Sequence, residues 1–443
     1  MTTTLRRLSV SLVTLALAVA GALAQPTRID VVTPIAPELA AYGRDAVGVR
    51  TLTLVDRNRA DILNTKEGAP TARYDRRLVV EVWYPATLAA GQMPAGTYHT
   101  TARNPSIAVT LQGRAVRDAS PASEGGPFPL VILSHGYPGN RYLMSHLGEN
   151  LASKGFIVVA IDHTDSTYDE QRAFASTLYN RPFDQLFVLD EMARLAAPGS
   201  GSFLSGRVDA ARTGIVGYSM GGYGVINVIG GGYSEASQTM RGAPPNRLLG
   251  ERSASSAAYR ASIDPRVKAA IAIGPWGMQA GIWDAEGLRG IRTPVLLVAG
   301  SVDDISGYAK GTRALFEGAV NADRYLLTFV NANHNAAAPH PVPVEVQDVT
   351  GADLVSYTHH ADAVWDTVRM NNILQHFATA YFARHLKGDV SKQAYLDVVP
   401  AGSEAVYAVD REGRELPAHT YWKGFRRGTA VGLTLEHAAP VGR

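Results

Sequence analysis

An α/β fold built on a mostly parallel sheet is predicted by three features of this 443-residue chain. Continuous apolar runs of strand length at Leu130–Leu133, Phe156–Ile161, Val267–Ile273, Val295–Ala299 and Tyr325–Phe329 alternate with stretches of helical character. Such runs suit strands buried on both faces, and the alternation implies right-handed crossovers with helices on both sides of the sheet. A glycine-bracketed serine, Gly217-Tyr-Ser-Met-Gly221, joins a further strand at Ile215–Val216 to a helix.

Composition narrows the class. Apolar residues make up 46% of the chain and charged residues 19%, as in an ordinary globular protein. A formal charge of +2 supplies no large field, so neither nucleic acid nor an anionic membrane surface is an expected partner. The twelve histidines form no spacing that reads as a metal site, and the adjacent His359-His360 would point in different directions on a helix or strand. No metal and no cofactor is expected. The absence of cysteine excludes a disulfide framework and a thiol nucleophile.

At the start of the chain, Arg6-Arg7 precede an apolar run from Leu8 to Val19, and Ala22-Leu23-Ala24 offers small residues for a signal peptidase. Residues 1–24 are read as a cleavable bacterial signal peptide, with the mature chain starting at Gln25 and exported to the periplasm or beyond. The run is short for a membrane span. No stable membrane anchor is expected, and an uncleaved anchor helix is the alternative.

Residues 25 to about 45 are irregular. Val49–Val55 alternates in polarity, and Leu78–Tyr84 forms a second strand halted by Pro85; the two fit an antiparallel edge. Asp56 to Arg76 is polar and turn-rich, and residues 87–128 read as a long loop with a weak run at Ile107–Leu111. Helices are expected at Arg141–Lys154, Phe183–Leu195, after Ser219, and at Trp365–Leu386. Two insertions, about 230–262 and 335–360, interrupt this rhythm and are candidate lids. The first has a solvated loop as its alternative. Residues 25–390 are taken as one domain, with 391–443 as an extension packed on it through one or two strands.

The chemistry is read from Ser219. A serine hydroxyl needs an adjacent base, and the base needs an orienting carboxylate. In the G-x-S-x-G arrangement the serine sits in a strained turn that requires glycine neighbours, and acid and base follow in that order beyond later strands. Gly300-Ser-Val-Asp-Asp304 follows one such strand, and Val330-Asn-Ala-Asn-His334 follows the next. His334 is the expected base and Asp303 the expected acid, with Asp304 as its alternative. Oxyanion donors are expected from the backbone N–H groups of Met220 and Tyr137, the latter in the loop Ser134-His-Gly-Tyr-Pro-Gly-Asn140. The Tyr137 ring is expected to floor an acyl pocket. His135 reads as a residue holding that loop, and Asp162, His163 and Asp165 as structural groups at the end of a strand.

Together, HGYPGN, GYSMGG, GSVDD and NANH resemble the α/β-hydrolase superfamily over about Val49 to Leu386. VEVWYPA at 80–86 and AIDHTDS at 160–166 resemble its dienelactone hydrolase and bacterial platelet-activating-factor acetylhydrolase-like branch, although a serine replaces the dienelactone hydrolase cysteine. Gly274-Pro-Trp276 with Tyr137 and Met220 is similar to secreted cutinase-like polyester hydrolases, and by that resemblance Trp276 lines the substrate cleft; capping of the core is its alternative. The resemblance implies an α/β-hydrolase fold with lid-like insertions and a short C-terminal extension. It also implies a secreted serine esterase acting on a small-molecule ester or a polyester through Ser219, His334 and Asp303. A lactone or C–C bond hydrolase is the alternative chemistry, and a non-catalytic binding protein on the same fold is the alternative class.

Overall fold

The computed structural model describes residues 26–172 and 174–441. The expected signal peptide lies outside the described residues.

The central sheet is built from β1 (Ala46–Ala60), β2 (Arg73–Thr87), β3 (Phe128–Ser134), β4 (Ile157–Asp162), β5 (Val208–Tyr218), β6 (Val267–Ile273), β7 (Val295–Gly300), β8 (Arg324–Phe329) and β9 (Leu433–Ala438). Their spatial order is β9-β8-β7-β6-β5-β3-β4-β2-β1, with the short strand Val116–Arg117 added beyond β1. From β4 through β8 neighbouring strands are parallel. At the flanks, β2 runs antiparallel to β1 and β4, and β9 runs antiparallel to β8. The sheet is therefore mostly parallel with antiparallel edges.

Strand alternation divides the core into two layers. Val131 and Leu133 of β3, Val216 and Tyr218 of β5, and Ile271 and Ile273 of β6 face one layer. There they meet helix α1 (Ser145–Ala152) and a long helix near the end of the chain (Thr367–Leu386), through Leu147, Phe377 and Tyr381. Leu130, Ile132, Ile215, Ala270 and Ala272 face the other layer, against α2 (Phe174–Ala196) and α3 (Met220–Val228). The closing helix, Thr367–Leu386, is buried along most of its length.

Several expected boundaries shift. The edge strands β1 and β2 pair from Ala46↔Ala86 to Ala60↔Arg73, so the stretch expected to be polar and turn-rich is largely hairpin, with a register shift between Asp56 and Arg59. Polar side chains alternate outward on this edge and hide the strand from an apolar count. Within the expected long loop, Gly96–Thr101 and Ala108–Gly113 pair antiparallel, and Thr27–Arg28 adds a parallel strand. Helix α1 begins at Ser145, not Arg141, because Arg141 turns to bond the end of β4, its N–H donating to Asp162 Oδ1 at 2.6 Å, while the Asn140 side chain accepts the Tyr142 N–H at 2.9 Å.

Helix α2 is longer than expected, starting at Phe174 and running through Pro182. Proline at 182 removes the N–H that the carbonyl of Leu178 would accept. The phenol of Tyr223 replaces it, donating to that carbonyl at 2.8 Å. Tyr223 belongs to α3, so the helix after the serine turn satisfies the break in α2. The Tyr223→Phe variant should lose about 1–3 kcal/mol of stability, the usual effect of leaving one buried carbonyl unpaired. Chemical denaturation of the two proteins measures this.

Candidate active site

Strand order brings the site together. The chain passes from β3 outward to β4 and then back across to β5 on the other side of β3. Their carboxyl ends thus form a topological switch point, where open α/β sheets bind ligands. Gly217 pairs with Ser134 in register, so the loop after β3 lies beside the turn after β5.

That turn is tight. Ser219 has φ 53° and ψ −113° and precedes the first residue of α3. Its N–H donates to the carbonyl of Ile273 at 2.8 Å, and its own carbonyl accepts from Tyr223 at 2.9 Å and Trp276 at 3.1 Å. A Cβ at Gly221 would stand 1.9 Å from the Ser134 carbonyl oxygen, and one at Gly217 would stand 2.3 Å from that of Gly221. Only glycine fits either position.

Loops after β7 and β8 supply the other two groups. His334 Nε2 lies 3.0 Å from Ser219 Oγ, and Nδ1 lies 2.9 and 3.1 Å from the two oxygens of Asp303. A carboxylate accepts only, so Nδ1 carries the proton and Nε2 accepts from the serine hydroxyl. The Asp303 side chain is fully buried, and its Oδ1 also accepts the N–H groups of Ile305 at 2.9 Å and Ser306 at 2.8 Å. Burial pushes the Asp303 carboxyl up, but the hydrogen bond and charge of His334 and the two amides outweigh it and hold the group below the usual carboxylate range. The neighbouring Asp304 is exposed, and the hydrogen bond it makes here is from its backbone N–H to Asn333 Oδ1 at 3.0 Å. Tyr218 packs on the imidazole at 5.1 Å between centroids and donates to Asn335 Oδ1 at 2.9 Å.

The loop Ser134–Tyr137 rests on a buried polar layer that sequence patterns do not reveal. Arg181 of α2, fully buried, donates to the carbonyls of His135 and Gly136 and to Ser166 Oγ at 2.7 Å. A trans peptide places its N–H opposite its carbonyl, so the Tyr137 amide is directed away from Arg181. Met220 opens α3, and its amide therefore has no acceptor within the helix. His135 accepts the His163 N–H at Nε2 and donates from Nδ1 to the Gly136 carbonyl at 2.7 Å. Burial, then the charge of Arg181, holds His135 well below the usual imidazole range, so it stays neutral.

Beneath it is a second serine–histidine–aspartate arrangement, with Ser134 Oγ to His163 Nε2 at 2.8 Å and His163 Nδ1 to Asp184 Oδ2 at 2.9 Å. All three are buried; Arg76 and Arg59 also donate to Asp184, and Gln185 donates to Ser134 Oγ. Burial pushes His163 down to about 3. This set braces the sheet end, and Asp165 joins it through Arg76 at 2.9 Å.

Ser219 and His334 open on a cleft of about 730 Å³ whose walls include Arg103, Tyr137, Tyr218, Asn335 and Tyr357. The insertion at 335–360 thus contributes to the walls. Asn335 ties it down, donating to the carbonyls of Thr358 at 2.6 Å and Ala361 at 2.7 Å. The insertion at 230–262 contributes no wall residue. It packs on α3 instead, with Tyr233 stacked on Tyr223 at 5.4 Å and Arg252 bonded to Asn227. Trp276, expected on the cleft wall, is half-buried and meets Phe174 edge-on at 5.2 Å, and Phe174 in turn meets Tyr137 at 5.5 Å. It packs against the apolar layer around α2 and α3, the placement given above as the alternative to cleft lining. Among the described residues, no group of three or more His, Asp or Glu side chains is placed to hold a metal ion.

The family model described as PET hydrolase-like matches residues 87–238, which include the loop after β3 and Ser219 but neither Asp303 nor His334. The chain is 27% identical over 214 residues to cutinase est1 of Thermobifida alba, a match covering 48% of this chain and 55% of that protein. It is 27% identical over 230 residues to bis(hydroxyethyl) terephthalate hydrolase of Streptomyces coelicolor, covering 52% and 57% respectively. The chain spans little more than half the length of these relatives. Among solved structures, a ferulic acid esterase from Streptomyces cinnamoneus superposes with a TM-score of 0.52 at 24% identity, covering 80% of this chain and 94% of that one. The fold is that of the α/β-hydrolases, and these matches bear out the cutinase-like side of the resemblance.

A nucleophile, a base and a fixed carboxylate in one chain of hydrogen bonds can carry acyl transfer. Asp303→Asn should lower kcat on an activated ester by roughly 10⁴, whereas Asp304→Asn should stay within about tenfold, because only the first breaks the bond that fixes the imidazole tautomer. Steady-state kinetics of the two variants decide between them.

Proposed function

We propose that this protein is an exported serine hydrolase of carboxylic esters working through an acyl-enzyme intermediate. The observation that carries the reading is the unbroken path Asp303–His334–Ser219 at the carboxyl ends of three strands, opening on a cleft. His334 takes the Ser219 proton as Oγ attacks the ester carbonyl, and the carboxylate of Asp303 stabilises the imidazolium. The N–H groups of Met220 and Tyr137 bind the oxyanion. The imidazolium then protonates the departing alcohol. Water, deprotonated by His334, releases the acid by the same route in reverse.

The relatives named for cutinase and bis(hydroxyethyl) terephthalate hydrolase activities support esters as the substrate class. A cleft of about 730 Å³, partly walled by the 335–360 insertion, suits an ester of small-molecule size. The Tyr137 ring, braced by Phe174, floors the acyl side. Export rests on the leader-like residues 1–24. Among the described residues, no helix is long and apolar enough to cross a membrane.

Purified mature protein should hydrolyse short p-nitrophenyl esters, and Ser219→Ala should reduce kcat by roughly 10⁵–10⁶. Undiminished hydrolysis by that variant would remove Ser219 from the mechanism. The rate should fall toward acidic pH because a protonated imidazole cannot accept the serine proton. Asp303 is held below the usual carboxylate range, so its protonation is not the source of that fall, and Asp303→Asn should lower the plateau with the acid limb still present. Polyester film assayed beside soluble esters shows whether polymer enters the cleft.

A further inference from the structure

Arg103 stands on the same cleft as Ser219 and His334, and the acyl-transfer scheme gives it no role. It follows the small-sheet strand Gly96–Thr101, a part of the chain that reads as loop in sequence. Its neighbour Asn104 fixes this segment to the 335–360 insertion. The Asn104 backbone N–H donates to Ser356 Oγ at 3.0 Å, and its side-chain amide donates to Asp353 Oδ1 at 2.7 Å. The backbone that carries Arg103 is therefore anchored independently of its guanidinium.

The guanidinium itself is poorly used. Of its five N–H donors, one makes a long contact of 3.5 Å with His359 Nδ1, and among the described residues it has no carboxylate partner. It is half-buried, so water does not fully solvate it. His359 is no counter-charge: burial, then the Arg103 cation, pushes it down to about 3. The cleft has two other charged side chains. Asp362 is occupied by the N–H groups of Asn333 at 2.7 Å, Val364 at 2.9 Å and Trp365 at 2.8 Å. Asp304 is exposed at the edge. The remaining walls are rich in tyrosine, from Tyr137, Tyr218 and Tyr357.

We propose that Arg103 is a specificity determinant that binds the free carboxylate of dicarboxylic acid half-esters, with aromatic diacids best matched to the tyrosine-lined walls. This rests on the ester-hydrolase reading and names its substrate class. A planar guanidinium pairs with a carboxylate through two parallel hydrogen bonds, and a partly desolvated cation without a partner favours that pairing. In the reaction, the Ser219 Oγ–acyl bond forms as the ester C–O bond breaks. The alcohol leaves with the proton from His334, and water then releases the diacid. The carboxylate on Arg103 is bound and unchanged throughout. Asp304 opposes the anion, which gives the scheme a second, opposite sign.

The test compares monomethyl and dimethyl terephthalate with wild-type protein, Arg103→Gln, Arg103→Lys and Asp304→Asn. For Arg103→Gln, kcat/KM on the half-ester should fall about tenfold or more, chiefly through KM, while the diester stays within about twofold. Arg103→Lys should restore part of the loss, and Asp304→Asn should raise the half-ester rate relative to the diester. Diester turnover reports in the same assay that each variant is folded. Equal losses on both esters, or no loss on the half-ester, would overturn the assignment of Arg103. Failure of wild-type protein on both esters and on p-nitrophenyl esters would instead overturn the ester-hydrolase reading.

Discussion

Ser219 is held at φ 53° and ψ −113°, a conformation that costs about 1–3 kcal/mol for a residue with a side chain and must be imposed by its surroundings. The surroundings here are the sheet and α3. The N–H of Ser219 is fixed to β6, its carbonyl starts α3, and the glycines on either side let α3 approach β3 to backbone contact. A Cβ at Gly221 would strike the last carbonyl of β3, so the turn and the loop after β3 are packed as one piece. Once the serine is lifted from the sheet edge, the loops after β7 and β8 need only extend over it to deliver Asp303 and His334.

The second constraint lies under the loop after β3. Backbone carbonyls there face the interior, where they need donors, and Arg181 supplies them from α2. Ser134, His163, Asp184 and Arg76 continue this layer, and each is buried with its hydrogen bonds made. Two serine–histidine–aspartate sets therefore occur within one fold and differ in access. The outer set meets a cleft. The inner one is sealed by the sheet and α2, and its histidine is kept neutral.

Much of this was legible in the sequence because it has local causes. Buried parallel strands appear as unbroken apolar runs, and the elbow requires glycine at fixed offsets. Strand ends place Asp303 and His334 without any knowledge of long-range contacts. What escaped depends on contacts across the chain. The hairpin of β1 and β2 carries polar residues on one face, so its length is set by pairing and not by hydrophobic count. The start of α2 was hidden by Pro182, which leaves the Leu178 carbonyl without its helical donor; Tyr223, more than forty residues later in the chain, satisfies it. The strands at Gly96–Thr101 and Ala108–Gly113 have weak patterns and depend on each other and on the 335–360 insertion, whose Glu345 Oε1 accepts the Thr110 N–H at 2.8 Å. Arg103 could be found only once that packing was in view. The two insertions looked alike in sequence, yet one lines the cleft and the other braces α3.

We propose that Ser219, and not the buried Ser134, is the group made nucleophilic by its histidine. Covalent labelling with a fluorophosphonate, followed by peptide mass mapping of the wild-type protein and of a His334→Ala variant, tests it directly. One adduct is expected, on the peptide carrying Ser219, formed rapidly in the first protein and greatly slowed in the second. An adduct on Ser134, or labelling of Ser219 at the same rate without His334, would contradict it.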